Sequence, residues 1–76
     1  MRLTFEQRRA VIVTAAVREA RSRGLANVCH GDVAKRCSLP TTERTVRHYF
    51  SSRKCLWSAV IAAAPDFAEQ GKELGL

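Results

Sequence analysis

The chain has 76 residues, which is enough for one domain with a thin hydrophobic core and leaves little scaffold for an enzyme cleft. Its composition, 46% hydrophobic and 26% charged, is that of a globular protein. Its 13 Lys and Arg against 7 Asp and Glu give a net charge of +6, which favours nucleic acid as a partner over an anionic membrane or an acidic protein.

The first predicted element is a long amphipathic helix that begins after Thr4. Thr4 and Gln7 form a capping-box pair, which satisfies free N–H groups at a helix start. Gly24, which follows Arg23, is expected to end the helix. Glu19 lies near the apolar stripe and weakens the pattern. The stripe itself has helical spacing and consists of Phe5, Ile12, Ala15, Ala16 and Ala20.

Two short helices are predicted next, separated by a break at Pro40. The first covers about residues 29–37. Pro40 has no backbone N–H, so it can end one helix or begin the next. The second runs to about Phe50, with Thr41 or Thr42 as its cap. Three of its side chains are expected to point outward: Arg44, Arg47 and His48.

A fourth helix follows Ser51-Ser52 and ends at Pro65. Its apolar stripe consists of Leu56, Trp57, Val60 and Ile61. We therefore expect a domain over residues 1–64, with residues 65–76 as a short helical turn or a frayed tail. No strand pattern competes, so the predicted fold class is all-α, a small four-helix domain.

Cys29, Cys37 and Cys55 are too irregularly spaced for a disulfide framework, and we expect small apolar core residues in a reducing cytoplasm. His30 and His48 lie nearby, but no zinc-knuckle spacing is present, so neither a metal nor a cofactor is expected. No secretory signal and no bilayer-spanning run is expected either. No catalytic nucleophile or phosphate loop stands out, and we expect no enzyme activity.

Two short helices joined by a turn and flanked by longer ones have the layout of a helix-turn-helix. In that motif the second short helix enters the major groove of DNA. The stretch from Lys35 to Lys54 holds six cations and one acid, which favours nucleic-acid contact over a merely solvated face. Glu43 could accept a hydrogen bond from cytosine, cap the helix or face solvent. The candidate base-contacting residues are Thr41, Thr42, Glu43 and Arg44.

Five runs resemble the DNA-binding domain of tetracycline-repressor (TetR-like) regulators: Ile12-Val13-Thr14-Ala15-Ala16, Gly24-Leu25, Asp32-Val33-Ala34, Thr45-Val46-Arg47-His48-Tyr49-Phe50 and Arg53-Lys54-Cys55-Leu56. The resemblance covers about residues 5–64. It implies a homeodomain-like helix-turn-helix of the TetR N-terminal type that binds double-stranded DNA. The candidate phosphate-contacting residues, from this resemblance and from their charges, are Lys35, Arg36, Arg47, His48, Arg53 and Lys54.

The chain departs from the family pattern by two additional residues between Ala34 and Thr45. The family's ligand-binding, dimer-forming domain has no counterpart in these 76 residues, so no small-molecule inducer is expected. The first hypothesis is a nucleoid-associated transcriptional regulator that reads duplex DNA through helix three. The alternative is a truncated scaffold, of phage or mobile-element type, that binds a host protein or a second copy. Its exposed apolar residues would include Phe67, Leu74 and Leu76.

Overall fold

The computed structural model describes residues 2–76, and all of its regular secondary structure is helical. Met1, the first residue of the predicted domain, lies outside the described residues. The all-α prediction is confirmed, but this part of the chain has five α-helices and not four. They are α1 (Phe5–Arg23), α2 (His30–Arg36), α3 (Glu43–Tyr49), α4 (Arg53–Ala63) and α5 (Ala68–Glu73), with 3-10 turns at Leu25–Asn27 and Pro65–Phe67.

Helix α1 begins and ends where its local sequence predicts. The Thr4 backbone N–H donates to Gln7 Oε1 at 2.8 Å, and the Gln7 N–H donates to Thr4 Oγ1 at 3.1 Å. At the other end Gly24 adopts φ +90°, and its N–H donates to the Ala20 carbonyl at 2.8 Å. A side chain at this φ would be strained, which explains why glycine ends the helix.

Phe5 is an exception to the predicted stripe, because 58% of it is exposed. It precedes Ile12, the first buried residue of the stripe, by seven residues, or about 10 Å along the helix axis. Its ring therefore lies beyond the core and stacks instead on Tyr49, with the ring centroids 4.6 Å apart. The other four residues of the stripe are buried.

The core is formed between α1 and the helices that pack on it. Helices α2 and α4 pack on α1, and α3 packs on α2. Trp57 is half-buried at the edge of this core, and its indole Nε1 donates to the Val28 carbonyl at 3.0 Å. The largest fully buried aliphatic side chains come from the α1–α2 connection and from α2, α3 and α4: Leu25, Val28, Val33, Val46, Leu56 and Val60.

The C-terminal segment turns at Pro65 and packs back on the start of the α1–α2 connection. Phe67 is only 5% exposed, so the prediction that it is an exposed apolar residue was wrong. The reason is that α5 brings Gln70 to the Leu25 N–H, which donates to Gln70 Oε1 at 2.9 Å. Leu74 is half-buried, and Leu76 remains 39% exposed.

The cysteines do not form a set of three core residues as predicted. Cys29 and Cys37 are half-buried, and Cys55 is exposed because it lies on the solvent side of the first turn of α4. Burial raises the pKa of the Cys37 thiol. Hydrogen bonds involving Ser52 and then Ser51 lower the pKa of Cys55. The prediction of an apolar core residue is therefore wrong for Cys55.

Candidate nucleic-acid interface

Helix α3 is positioned by a side-chain cap at its start and by a buried residue at its centre. Thr42 Oγ1 accepts from the Thr45 N–H at 3.2 Å and lies 3.1 Å from the Thr45 hydroxyl, so the predicted cap is confirmed at Thr42. Val46 is fully buried and fixes which face turns inward. The opposite face is therefore left to solvent.

The outer face of α3 carries Arg44, Arg47 and His48, all exposed as predicted. Arg44 lies three residues from Arg47 and four from His48, so the three side chains are neighbours on one surface. The Arg47 Nε donates to Glu43 Oε2 at 3.1 Å. Both side chains of this pair are 55% exposed, so solvent screens it and it holds Arg47 only weakly.

The four predicted base-contacting residues have different environments. Thr42 uses its hydroxyl as the helix cap, and Glu43 pairs with Arg47. Thr41 is half-buried, and no residue within 2–76 forms a hydrogen bond with its buried Oγ1. Arg44 is exposed and has no ion-pair partner in the same part of the chain. Of the four, Arg44 has the side chain best suited to reach a base.

The Glu43 carboxylate of α3 also lies close to Gly31 of α2. A Cβ atom added at Gly31 of α2 would lie 2.8 Å from Glu43 Oε1. Gly31 weakens a seven-residue helix, but it leaves room for the Glu43 carboxylate between α2 and α3. Glu43 therefore lies at the junction of the two helices, and its side chain remains 55% exposed.

Two of the predicted phosphate contacts lie in the first turn of α4, after the Ser52 cap. The Cys55 N–H donates to Ser52 Oγ at 3.2 Å, which orders this turn. Arg53 and Lys54 are exposed, and neither forms an ion pair within residues 2–76. The N-terminal end of a helix carries a partial positive charge that adds to these two cations. Because α4 begins four residues after α3 ends, this cationic turn lies close to the C-terminal end of α3.

Two further predicted phosphate contacts, Lys35 and Arg36, lie in the last turn of α2, whereas Arg47 and His48 lie on α3. Lys35 is exposed, whereas the Arg36 Nε donates to Glu19 Oε1 at 3.0 Å. Glu19 is only 3% exposed. An acid within the apolar stripe of α1 was a signal for a buried ion pair, but its partner is 17 residues away and could not be assigned from spacing.

Helix α1 adds two arginines to the neighbourhood of α3 that were not predicted as site residues. Arg8 borders a narrow groove that is also lined by Thr41, Thr45 and Tyr49. The Arg9 guanidinium carbon lies 5.1 Å from the centroid of the Phe50 ring, a cation–π distance. The Phe5–Tyr49 stack brings this end of α1 against α3, and sequence spacing could not reveal that contact.

His30 connects the start of α2 to the end of α3. It is 1% exposed, and its Nε2 lies 2.7 Å from the Phe50 carbonyl oxygen. Because a carbonyl oxygen only accepts, Nε2 must carry the proton of this hydrogen bond. The imidazole thus holds the last turn of α3 against α2, a structural role that sequence analysis did not assign to it.

The chain was compared with protein-family models, with curated proteins and with solved structures, and none of the three comparisons found a match. Over residues 2–76, no three His, Cys, Asp or Glu side chains lie close enough together to hold a metal ion. In the same residues no helix is both long and apolar enough to cross a bilayer.

Proposed function

We propose that the protein binds double-stranded DNA through α3, as a helix-turn-helix regulator similar to TetR-like DNA-binding domains. The observation that carries the proposal is the outer face of α3, where Arg44, Arg47 and His48 are all exposed. The first turn of α4 follows this face with Arg53 and Lys54. Cations and a helix N-terminus are the groups that bind DNA phosphates.

The arrangement of α2 and α3 fits this function in size. Each helix has seven residues, residues 37–42 connect them, and the two pack against each other. An α-helix with its side chains is about 10–12 Å wide, and the major groove is about 12 Å wide. In this proposal α3 lies in the groove, while α2 and the start of α4 approach the backbone on either side.

The proposal assigns different tasks to the cations. Arg44 contacts a base, most favourably the O6 and N7 atoms of guanine, because a guanidinium can donate two hydrogen bonds to that edge. Arg47, Arg53 and Lys54 contact phosphates, with Lys35 and His48 at the margins. Thr42 stays in the helix cap and does not read a base.

The proposal is tested by measuring duplex affinity over a range of salt concentrations. Each phosphate contact releases about one counterion, so Arg47→Ala and Arg53→Ala should each reduce the slope of log affinity against log salt by about one. Lys72→Ala is the matched control, because it removes the same charge from the exposed surface of α5. Its slope should equal that of the wild type.

Affinity without salt dependence would contradict the proposal. So would an Arg47→Ala variant that behaves like Lys72→Ala. A selection of bound duplexes from random DNA at physiological salt then tests base recognition. An enriched motif is expected, and a symmetric one would show that two copies bind together.

An alternative function, binding of a host protein, is favoured by a different observation. The exposed apolar side chains near α3 are Phe5 and Leu39, at 58% and 41% exposure, and not the predicted Phe67. Leu39 and Arg8 line the same groove, and Phe5 stacks on Tyr49, which also lines it. Capture of a host protein that persists after nuclease treatment and is lost in Phe5→Ser would favour this function over DNA binding.

A further inference from the structure

The buried acid of α1, Glu19, faces two arginines. Its side chain is 5% exposed, and Oε1 accepts from Arg36 Nε at 3.0 Å. Oε2 lies 3.6 Å from Arg23 Nη1, but Arg23 also pairs with Asp32 at 3.1 Å. Arg36 is therefore the dedicated partner of Glu19. Since a buried carboxylate without a partner is strongly unfavourable, Glu19 needs this pair when α2 packs on α1.

The pair leaves most of the Arg36 guanidinium available. A guanidinium carries five N–H donors in a planar fork, and Glu19 takes the one at Nε. Within residues 2–76, Arg36 has no other side-chain hydrogen bond or ion pair, and its side chain is 40% exposed. The hydrogen bond to the buried Glu19 therefore fixes the orientation of the guanidinium and leaves its four Nη hydrogens without a partner in this part of the chain. An anion that binds there does not have to order the side chain first.

Arg36 borders a depression of about 210 Å³ on the surface of α1 and α2. Arg18 of α1 lines the same depression, and it forms no ion pair in the described part of the chain. Ser38, just after α2, adds a hydroxyl, and the remaining wall is formed by small side chains such as Ala15. Two guanidinium groups and a hydroxyl are a donor set that suits a phosphate.

We propose that Glu19 is a positioning residue that holds Arg36 so that Arg36, Arg18 and Ser38 bind a phosphate group in this depression. The inference rests on the proposed function for the source of the phosphate, which is the DNA backbone outside the groove occupied by α3. Free inorganic phosphate offers the same chemistry, and the experiment below distinguishes the two sources.

The direction in which Glu19→Met changes the affinity for DNA distinguishes a positioning role of Glu19 from a purely electrostatic one. Methionine matches glutamate in length and removes one negative charge, which on Coulombic grounds alone strengthens DNA binding. The proposal instead expects weaker binding and a salt slope lower by about one, the same loss as in Arg18→Ala. Glu6→Gln is the control, because it removes the same charge from an exposed acid of the same helix. It should keep the full slope.

A double variant shows whether the phosphate contact of Arg36 is lost even when the protein stays folded. Arg36→Leu alone leaves Glu19 with only a shared arginine and can unfold, whereas Glu19→Met with Arg36→Leu replaces the ion pair by apolar side chains. Such replacements are often neutral or stabilising. The proposal expects this double variant to melt at or above the wild-type temperature and still to lack one unit of salt slope. A folded double variant with the wild-type slope would overturn it.

The source of the phosphate is tested by following the Arg36 Nε–H signal in NMR spectra during titration. Inorganic phosphate and a short duplex are added separately to the wild-type protein. A shift with duplex alone assigns the site to the DNA backbone, and a shift with both assigns it to phosphate in general. No shift with either would overturn the inference. If no duplex binds at all, the proposed function fails while the phosphate titration still decides this one.

Discussion

The acids of the folded body determine which of its cations are free to bind an anion. Residues 1–64 contain four acids, and three of them, Glu19, Asp32 and Glu43, pair with arginines. Eight cations of this part of the chain have no ion-pair partner within residues 2–76: Arg2, Arg8, Arg9, Arg18, Lys35, Arg44, Arg53 and Lys54. The excess positive charge is therefore carried mainly by unpaired side chains, whose hydrogen-bond donors are not taken up by acids of this part of the chain.

The pKa of Asp32 tests the hydrogen bond that this carboxylate accepts from Cys29. The Cys29 thiol donates to Asp32 Oδ2 at 3.2 Å and lowers the pKa of Asp32 below its ordinary 3.8, helped by the charge of Arg23. A lowered folded-state pKa stabilises the fold above the ordinary value, and this contribution is lost as the pH falls through the folded-state pKa. We expect Cys29→Ala to raise the pKa of Asp32 toward 3.8 in an NMR titration of its carboxyl group.

Cys29→Ser supplies the control for this titration, because its hydroxyl also donates and should keep the pKa of Asp32 low. An unchanged pKa in Cys29→Ala would show that the thiol is not the main cause. This hydrogen bond could not be predicted from the sequence, although the two residues are only three apart, because Cys29 was expected to be a small apolar residue. The residue type was known, but its partner depends on the backbone turn at the start of α2.

The helices themselves were largely predictable, because their signals are local. Thr4 with Gln7, and Ser52 with Cys55, are side-chain caps that span only three residues, and both occur where the sequence indicates. Pro40 separates α2 from α3 as expected. Helix α5 was harder to predict, because its six residues include Gly71 and lack an apolar stripe of their own. Gly71 packs closely on α4, and the end of the Ile61 side chain would have to move to admit a Cβ atom there.

The side-chain cap of α3 can be tested by removing the Thr42 hydroxyl. Thr42→Ala removes the acceptor for the Thr45 N–H, and a lost cap costs about 1 kcal/mol, within a range of roughly 0.5–2 kcal/mol. Thr41→Ala is the matched control, because Thr41 Oγ1 has no hydrogen-bond partner within residues 2–76. Denaturant unfolding of both variants should show a larger loss of unfolding free energy for Thr42→Ala. An equal loss in the two variants would mean that Thr42 does not determine where α3 begins.

The contacts that arrange the five helices relative to one another join residues that are far apart in sequence. His30 and Phe50 are 20 residues apart, Trp57 and Val28 are 29 apart, and Gln70 and Leu25 are 45 apart. Helical periodicity indicates which face of a helix is apolar but not which element covers it. Two phenylalanines were mispredicted for this reason. Phe5 was expected to be buried and is exposed, whereas Phe67 was expected to be exposed and is buried.

The packing of Phe67 connects the C-terminal segment to the stability of the entire domain. Its ring is 5% exposed, and the Arg21 guanidinium carbon lies 5.2 Å from its centroid. Phe67→Ala should cost about 3–5 kcal/mol, because a buried aromatic ring is replaced by a cavity. For a domain of this size, that loss lowers the melting temperature by roughly 15 °C or more in calorimetry.

Leu76→Ala is the control for Phe67→Ala, because Leu76 is 39% exposed and its removal should change the unfolding free energy by about 0.5 kcal/mol or less. The total stability of such a small domain is only about 5–15 kcal/mol, so the loss of Phe67 would leave α1 and the α1–α2 connection close to unfolding. DNA binding by the folded fraction should survive, because Phe67 is remote in sequence from α3 and belongs to neither proposed phosphate site. A Phe67→Ala variant that melts within a few degrees of the wild type would contradict this prediction, because it would show that the Phe67 ring contributes little to the stability of the domain.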